Sequence, residues 1–250
     1  LLICSSFALK ANELTISGIY QGENLYIMNP FSPTGVGFCI TEVLVNGNIS
    51  TDEIASSAFE IDLSVYGFSL GQSVEIVIKH RNGCVPKILN PEVLKPKSTF
   101  NIESIQIIKT GRVTWITTGE IGSLPFEVEQ FKWNKWVTVA TVNGKGTPAT
   151  NNYSVDVIFT SGENKFRVKQ VDYTKKPRYS QIVTYKSLAA PVTFKPGNAR
   201  KTSKEVSFSA ATSYEIYDYY GQLMTKGYGL KVDVSSYSSG TYFINYDNKT

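Results

Sequence analysis

The 250-residue chain is longer than one small β-type core needs; at roughly 100 residues per module, two or three domains are expected. Its 15 Tyr and 13 Phe, with only 18% charged residues, favour strands over helices. The net charge of +4 comes without basic runs interleaved with aromatics, which argues against a nucleic-acid partner, and the spacing of Cys39 and Cys84 does not suit a structural zinc site, since two further ligands are missing and the chain has one histidine.

The charge is uneven. Residues 12–98 carry 5 basic and 9 acidic side chains, residues 99–188 carry 12 and 7, and residues 189–250 carry 7 and 5. A basic middle segment could attract an anionic polymer or an acidic neighbour, or be a solvated lysine-rich surface.

In chain order, residues 1–11 (LLICSSFALKA) read as the end of a signal peptide, with Ser6-Phe7-Ala8 and Leu9-Lys10-Ala11 as cleavage contexts. The stretch is far too short to span a bilayer, so an exported chain without a transmembrane segment is expected. Cys4 is either a lipid-attachment cysteine, with Ile3 where a small residue is wanted, or leaves with the leader.

Residues 12–98 alternate short apolar runs with turn residues. Phe59, Ile61 and Leu63 alternate with Glu60, Asp62 and Ser64; Val74, Ile76 and Ile78 alternate with Glu75, Val77 and Lys79. The two-residue period gives one buried and one wet face. Asn46-Gly47 is a hairpin signal because both residues tolerate positive φ. The stretch with Pro86, Pro91 and Pro96 reads as an exit strand and linker. Cys39 and Cys84 are either a disulfide, suited to an oxidising compartment, or two buried free thiols.

Residues 99–188 hold about seven strands, with turns at Thr110-Gly111 and Trp133-Asn134, which suits a fibronectin-type or immunoglobulin-like sandwich. Trp115 and Trp136 are the expected core anchors. Residues 189–250 continue with short strands: EVSFSAA, SYEIYDYYG, QLMTKGY, LKVDVSS and GTYFINY. No stretch shows a sustained helical period.

Signals for chemistry are weak. His80 lies between cations and a turn and reads as a solvent-facing strand-end residue. Glu127 and Glu129 share one strand face and carry the residual hypothesis of a small carbohydrate-active enzyme, although both also fit a surface pattern. The acidic stretch TDEIASSAFEID lacks calcium-loop spacing. Tyr217, Tyr219, Tyr220, Trp133 and Trp136 are candidates for stacking on a surface glycan, with Trp133, beside its turn, the first to test; core packing is the alternative.

Two resemblances add to this. Trp115, Thr117, Glu120, Phe126, Glu127, Val128, Glu129, Arg167, Lys169, Gln170, Val171, Asp172, Tyr179 and Ser180 match the pattern of a fibronectin-type module common beside type IX secretion signals, which the middle segment therefore resembles. The last segment resembles a type IX C-terminal sorting domain through EIYDYYGQLM, VDVSSYSSG and GTYFINY, with Tyr217, Gly221, Asp233, Gly240, Tyr242 and Phe243 as its motif positions. The resemblance implies an export address read by the outer-membrane machinery. Gly221 and Gly240 are expected at turns that larger side chains resist. Residues 12–98 also resemble an N-terminal domain of envelope proteins of the same bacterial group, which implies architecture only.

The expectation is an all-β chain of three consecutive β-sandwich modules, at 12–98, 99–188 and 189–250. It is a non-catalytic exported envelope or surface protein without a cofactor. Its partners are the type IX machinery, other envelope proteins or a surface glycan. A structural subunit of an envelope assembly is the alternative.

Overall fold

A computed structural model describes residues 12–195 and 204–249, so the leader reading of residues 1–11, Cys4 included, lies outside the described residues. The described chain is all-β, built of antiparallel sheets that pack as β-sandwiches, with two short 3-10 turns and no α-helix.

The first strands are β1 (Glu13–Ile19), β2 (Leu25–Met28), β3 (Ile40–Val45), β4 (Asn48–Ile49), β5 (Ala58–Ile61), β6 (Ser73–His80) and β7 (Lys87–Ile88). They form a sheet of order β1-β6-β3-β4 and a second of order β5-β2-β7. Leu25, Ile27, Val43, Ile61, Ile76 and Ile78 are buried in one cluster. Each such side chain adds about 1.5–3 kcal/mol of transfer energy. Asn46 and Gly47 turn β3 into β4 with φ of 48° and 80°. The proline-bearing exit is more than a linker. Lys87–Ile88 pairs with β2, and Pro91–Leu94 forms a 3-10 turn that buries Val93 and Leu94. Gly18 of β1 makes this possible, since a Cβ there would sit 2.4 Å from the Leu94 carbonyl oxygen. Cys39 and Cys84 are joined, with Cα atoms 6.0 Å apart, tying the approach to β3 to the loop after β6.

Next come β8 (Asn101–Ile108), β9 (Arg112–Thr118), β10 (Pro125–Lys132), β11 (Lys135–Asn143), β12 (Asn151–Asp156), β13 (Gly162–Val171), β14 (Pro177–Tyr179) and β15 (Val183–Ser187). One sheet has the order β12-β9-β8; the facing one runs β11-β10-β13, with β14 and β15 both on β13. Between them lie Val113, Trp115, Phe126, Val128, Phe166 and Val168. Trp115 stacks on Tyr153 with centroids 5.2 Å apart and meets Phe126 edge-on. Trp136 is not a core anchor. It pairs with Phe131 on the outer face of β10–β11 and is half-buried there, because Glu127, Glu129 and Phe131 share that face by the two-residue period.

The last strands are β16 (Phe194–Lys195), β17 (Glu205–Tyr217), β18 (Leu223–Asp233) and β19 (Phe243–Tyr246). The short strands expected here merge into one long bent hairpin. A register shift between Ser207 and Thr212 lets β17 turn while it stays paired with β18. β17 carries β16 and β19 along its other edge. Val192, Val206, Phe208, Ile216, Val232, Val234 and Tyr246 close a third buried cluster.

Candidate functional site: an inter-segment latch and an open aromatic hairpin

The motif residues of the middle segment are engaged in building it. Glu120 is 3% exposed. It accepts hydrogen bonds from Thr117 Oγ1, from the Tyr153 hydroxyl at 2.8 and 2.9 Å, and from the Gly146 N–H at 2.9 Å. The Tyr153 hydroxyl accepts in turn from the Lys145 N–H at 2.7 Å. Burial pushes the Tyr153 phenol up to about 12, with the neighbouring Glu120 carboxylate acting the same way. The Trp-x-Thr-x-x-Glu spacing thus pins the 144–146 loop to β9 and β12.

The Glu127/Glu129 pair belongs to a cross-strand ladder. β10–β13 register places Glu127 opposite Lys169 and Glu129 opposite Arg167. The ion pairs close at 2.9 and 2.7 Å, and the Arg167 guanidinium lies between the Trp136 and Tyr179 rings, 4.1 and 4.0 Å from their centroids. Both carboxylates face cations on a sheet surface rather than a cleft. Gln170 and Asp172 hold the incoming chain, accepting from Ser98 Oγ and Ser98 N–H at 2.9 Å each. The Ser180 hydroxyl accepts from the Val168 N–H at 2.8 Å.

Trp133 is not an open stacking platform. The type I′-like turn at Trp133-Asn134, with φ of 56° and 57°, swings its indole against the last segment, where it is 7% exposed. Its Nε1–H donates to the Asp247 carbonyl at 3.0 Å. Asp247, 2% exposed, is the centre of this contact. Its carboxylate accepts the Ser161 N–H at 2.7 Å, the Ser161 hydroxyl and the Val192 N–H at 3.1 Å. Its own N–H donates to Thr212 Oγ1 at 2.9 Å. Beside it Lys135 donates to Glu215 at 2.7 Å and to the Tyr217 hydroxyl at 2.9 Å. Against the opposing pull of burial, hydrogen bonds from Lys135 and Tyr217 hold the Glu215 carboxyl below its ordinary range. Burial pushes the Lys132 ammonium down, with Glu215 pulling the other way, and that ammonium sits 4.5 Å from the Trp133 ring centroid. Asp247, Ser161 and Lys135 carry no sequence signal, because contact between distant segments leaves no local pattern.

Of the sorting-motif positions, Tyr217, Gly221 and Phe243 gather at the β17–β18 turn end of the last sheet, while Asp233 lies at its other end opposite Glu205. Leu223, Tyr217 and Phe243 lie opposite one another on adjacent strands and share a face. The β17–β18 turn carries Tyr219 and Tyr220, 70% and 91% exposed. Asp218 shapes it by accepting from the Tyr220 and Gln222 N–H groups, and Gly221 takes φ of 79°. Gly240 does not carry the expected requirement. Its φ lies outside the left-handed region, and a Cβ there would meet the Tyr242 ring only at 3.8 Å. Tyr242 packs on Tyr237 and donates to the Ser238 carbonyl; Asp233 accepts from the Ser235 N–H at 2.7 Å, which lowers its pKa.

His80 ends β6 with Nδ1 at 3.1 Å from the Arg81 carbonyl oxygen. In the 51–62 stretch, Asp52 accepts from Asp62 N–H and Asp62 from Ser64 N–H, so these carboxylates shape turns. Among the described residues, no group of three or more His, Cys, Asp or Glu could hold a metal ion. No helix among them is long and apolar enough to cross a membrane.

No protein family and no curated protein matches the chain. Among solved structures, a tetra-tandem repeat from the extending region of a large adhesion protein is 13% identical over 94% of this chain and 69% of its own, with a TM-score of 0.33. A Lactobacillus rhamnosus beta-glucuronidase is 14% identical over 78% of this chain and 37% of its own, with a TM-score of 0.20. Dimeric latent PorU from Porphyromonas gingivalis is 13% identical over 95% and 26%, with a TM-score of 0.23. The chain thus spans about a third of the glucuronidase and about a quarter of PorU. Binding proteins and enzymes both occur among these likenesses, so they assign no activity.

Proposed function

We propose that the chain is a non-catalytic, exported component of a bacterial cell envelope or surface, delivered by or associated with type IX secretion, that holds a protein or glycan partner. In this reading three sandwich modules follow one another, at 12–98, 99–188 and 189–250. The motif resemblances of the last two support type IX delivery, and the Cys39–Cys84 bond suits an oxidising compartment. Its charged motif residues are engaged with one another, which favours binding over catalysis.

A second reading, in which the last module docks and stays rather than serving as a detachable address, is favoured by one observation. Asp247 is buried against the middle module through Trp133 and Ser161, while Tyr219 and Tyr220 remain open to a partner. We adopt this reading for the last module. Deleting residues 189–250 and locating the product tests it. Normal localisation with loss of a partner in pull-down is the expected outcome. Accumulation in the periplasm makes the module an export address instead.

A further inference from the structure

The two outer faces of the middle sandwich differ in how their polar side chains are used. On the β10–β13 face the carboxylates and cations satisfy one another. On the β8–β9–β12 face, register places Ser104 and Asn152 on either side of Ile116, and Gln106 and Ser154 on either side of Thr114. With the largely buried Trp115 and Tyr153 these six residues line a shallow groove of about 380 Å³, a size in the range of small-ligand sites. Among the described residues, none of the five polar side chains makes a hydrogen bond within the chain. Two amides and three hydroxyls therefore stand on one face with their donors and acceptors uncommitted.

The array is also uncharged. At one end Arg112 is paired with Asp156 at 2.7 Å, and at the other the Thr118 hydroxyl donates to Glu103 at 2.7 Å. Phosphate or sulfate finds no free cation in the groove, and a protein partner finds Ile116 and the slight exposed margins of Trp115 and Tyr153 in place of an apolar interface core. Neutral donors and acceptors repeating at the strand spacing of about 4.8 Å match a ligand that is itself neutral and rich in hydroxyls. We propose that the outer face of β8, β9 and β12 is a binding site for a neutral oligosaccharide. The site is separate from the aromatic hairpin and does not depend on how the protein is delivered.

The test is binding of the full chain to an array of neutral glucans, mannans and N-acetylglucosamine oligomers, with titration calorimetry on any that bind. Saturable binding that changes little between about 0.05 and 0.5 M salt is expected, because no ion pair forms. Gln106→Ala/Asn152→Ala is expected to weaken it about tenfold through two lost hydrogen bonds, with unfolding temperature unchanged. Tyr220→Ala should bind as the parent does. If the double variant fails to fold, Ser154→Arg at an exposed position takes its place, with the same expected loss. Absence of saturable binding across the array overturns the proposal. So does binding that survives the groove variants, or that is lost in Tyr220→Ala.

Discussion

Trp133 and Asp247 lie 114 residues apart and are joined by a buried hydrogen bond of 3.0 Å from the indole N–H to the main-chain carbonyl. The adjoining Asp247 carboxylate takes the N–H and hydroxyl of Ser161 from the far side of the contact and the Val192 N–H from its own segment. Truncating it leaves buried donors unsatisfied, each at about 1–3 kcal/mol. Asp247→Ala is therefore expected to loosen the contact by about 3 kcal/mol. Limited proteolysis between residues 188 and 204 should accelerate, while the middle core melts as before. Cleavage at the parental rate would mean that the segments are not held by this residue.

Arg167 is expected to be the most sensitive surface cation. Its guanidinium pairs with Glu129, which is 5% exposed, and fills the space between Trp136 and Tyr179. Arg167→Ala leaves the buried Glu129 carboxylate with only Lys169, 3.5 Å away, at an expected cost of about 2 kcal/mol in chemical denaturation. Arg167→Lys should recover only part of this, since an ammonium does not stack as a planar guanidinium does. Equal stability of the two variants would remove the stacking argument.

Tyr153 sets a pH dependence. Its folded pKa is raised to about 12, above the ordinary phenol value of 10.0, so the folded state holds the proton more tightly. The stability this contributes is complete below about pH 10 and is lost as pH rises from there through about 12. In Tyr153→Phe that part of the alkaline loss should vanish. Denaturant midpoints measured against pH for both proteins check it; parallel curves would refute it.

The Cys39–Cys84 bond closes a loop with a sequence separation of 45. Cys39→Ser/Cys84→Ser is expected to destabilise the first core by about 4 kcal/mol on the chain-entropy argument, and to leave the middle core unaffected. Separate melting transitions in calorimetry, with only one shifted, would show this. A uniform shift would mean that the cores unfold together.

The strands of the first two segments are legible in the sequence because alternation and turn chemistry act locally, as at Ile76 and Ile78 or at Asn46-Gly47. Trp136 lies outside the core although its signal is present. The turn at Trp133-Asn134 sets Trp136 opposite Phe131, two residues beyond Glu129 on the outward face. Trp133 is illegible for a different reason. A residue beside a hairpin turn is exposed by local rules, and only the arrival of Asp247 covers it. The groove on β8–β9–β12 is equally silent, since single Ser, Thr, Asn and Gln residues carry no motif until register gathers them.

β19 and the latch are continuous: Phe243–Tyr246 completes the sheet on β17, and Asp247 follows directly. A chain cut ahead of Phe243 loses sheet closure and attachment in one stroke. During passage from the N-terminus onward, residues 214–217 must wait with one edge uncovered until that short stretch arrives. The same arrival seals the sheet and clamps it to its neighbour, so a firmly joined pair of segments certifies that translation reached this far.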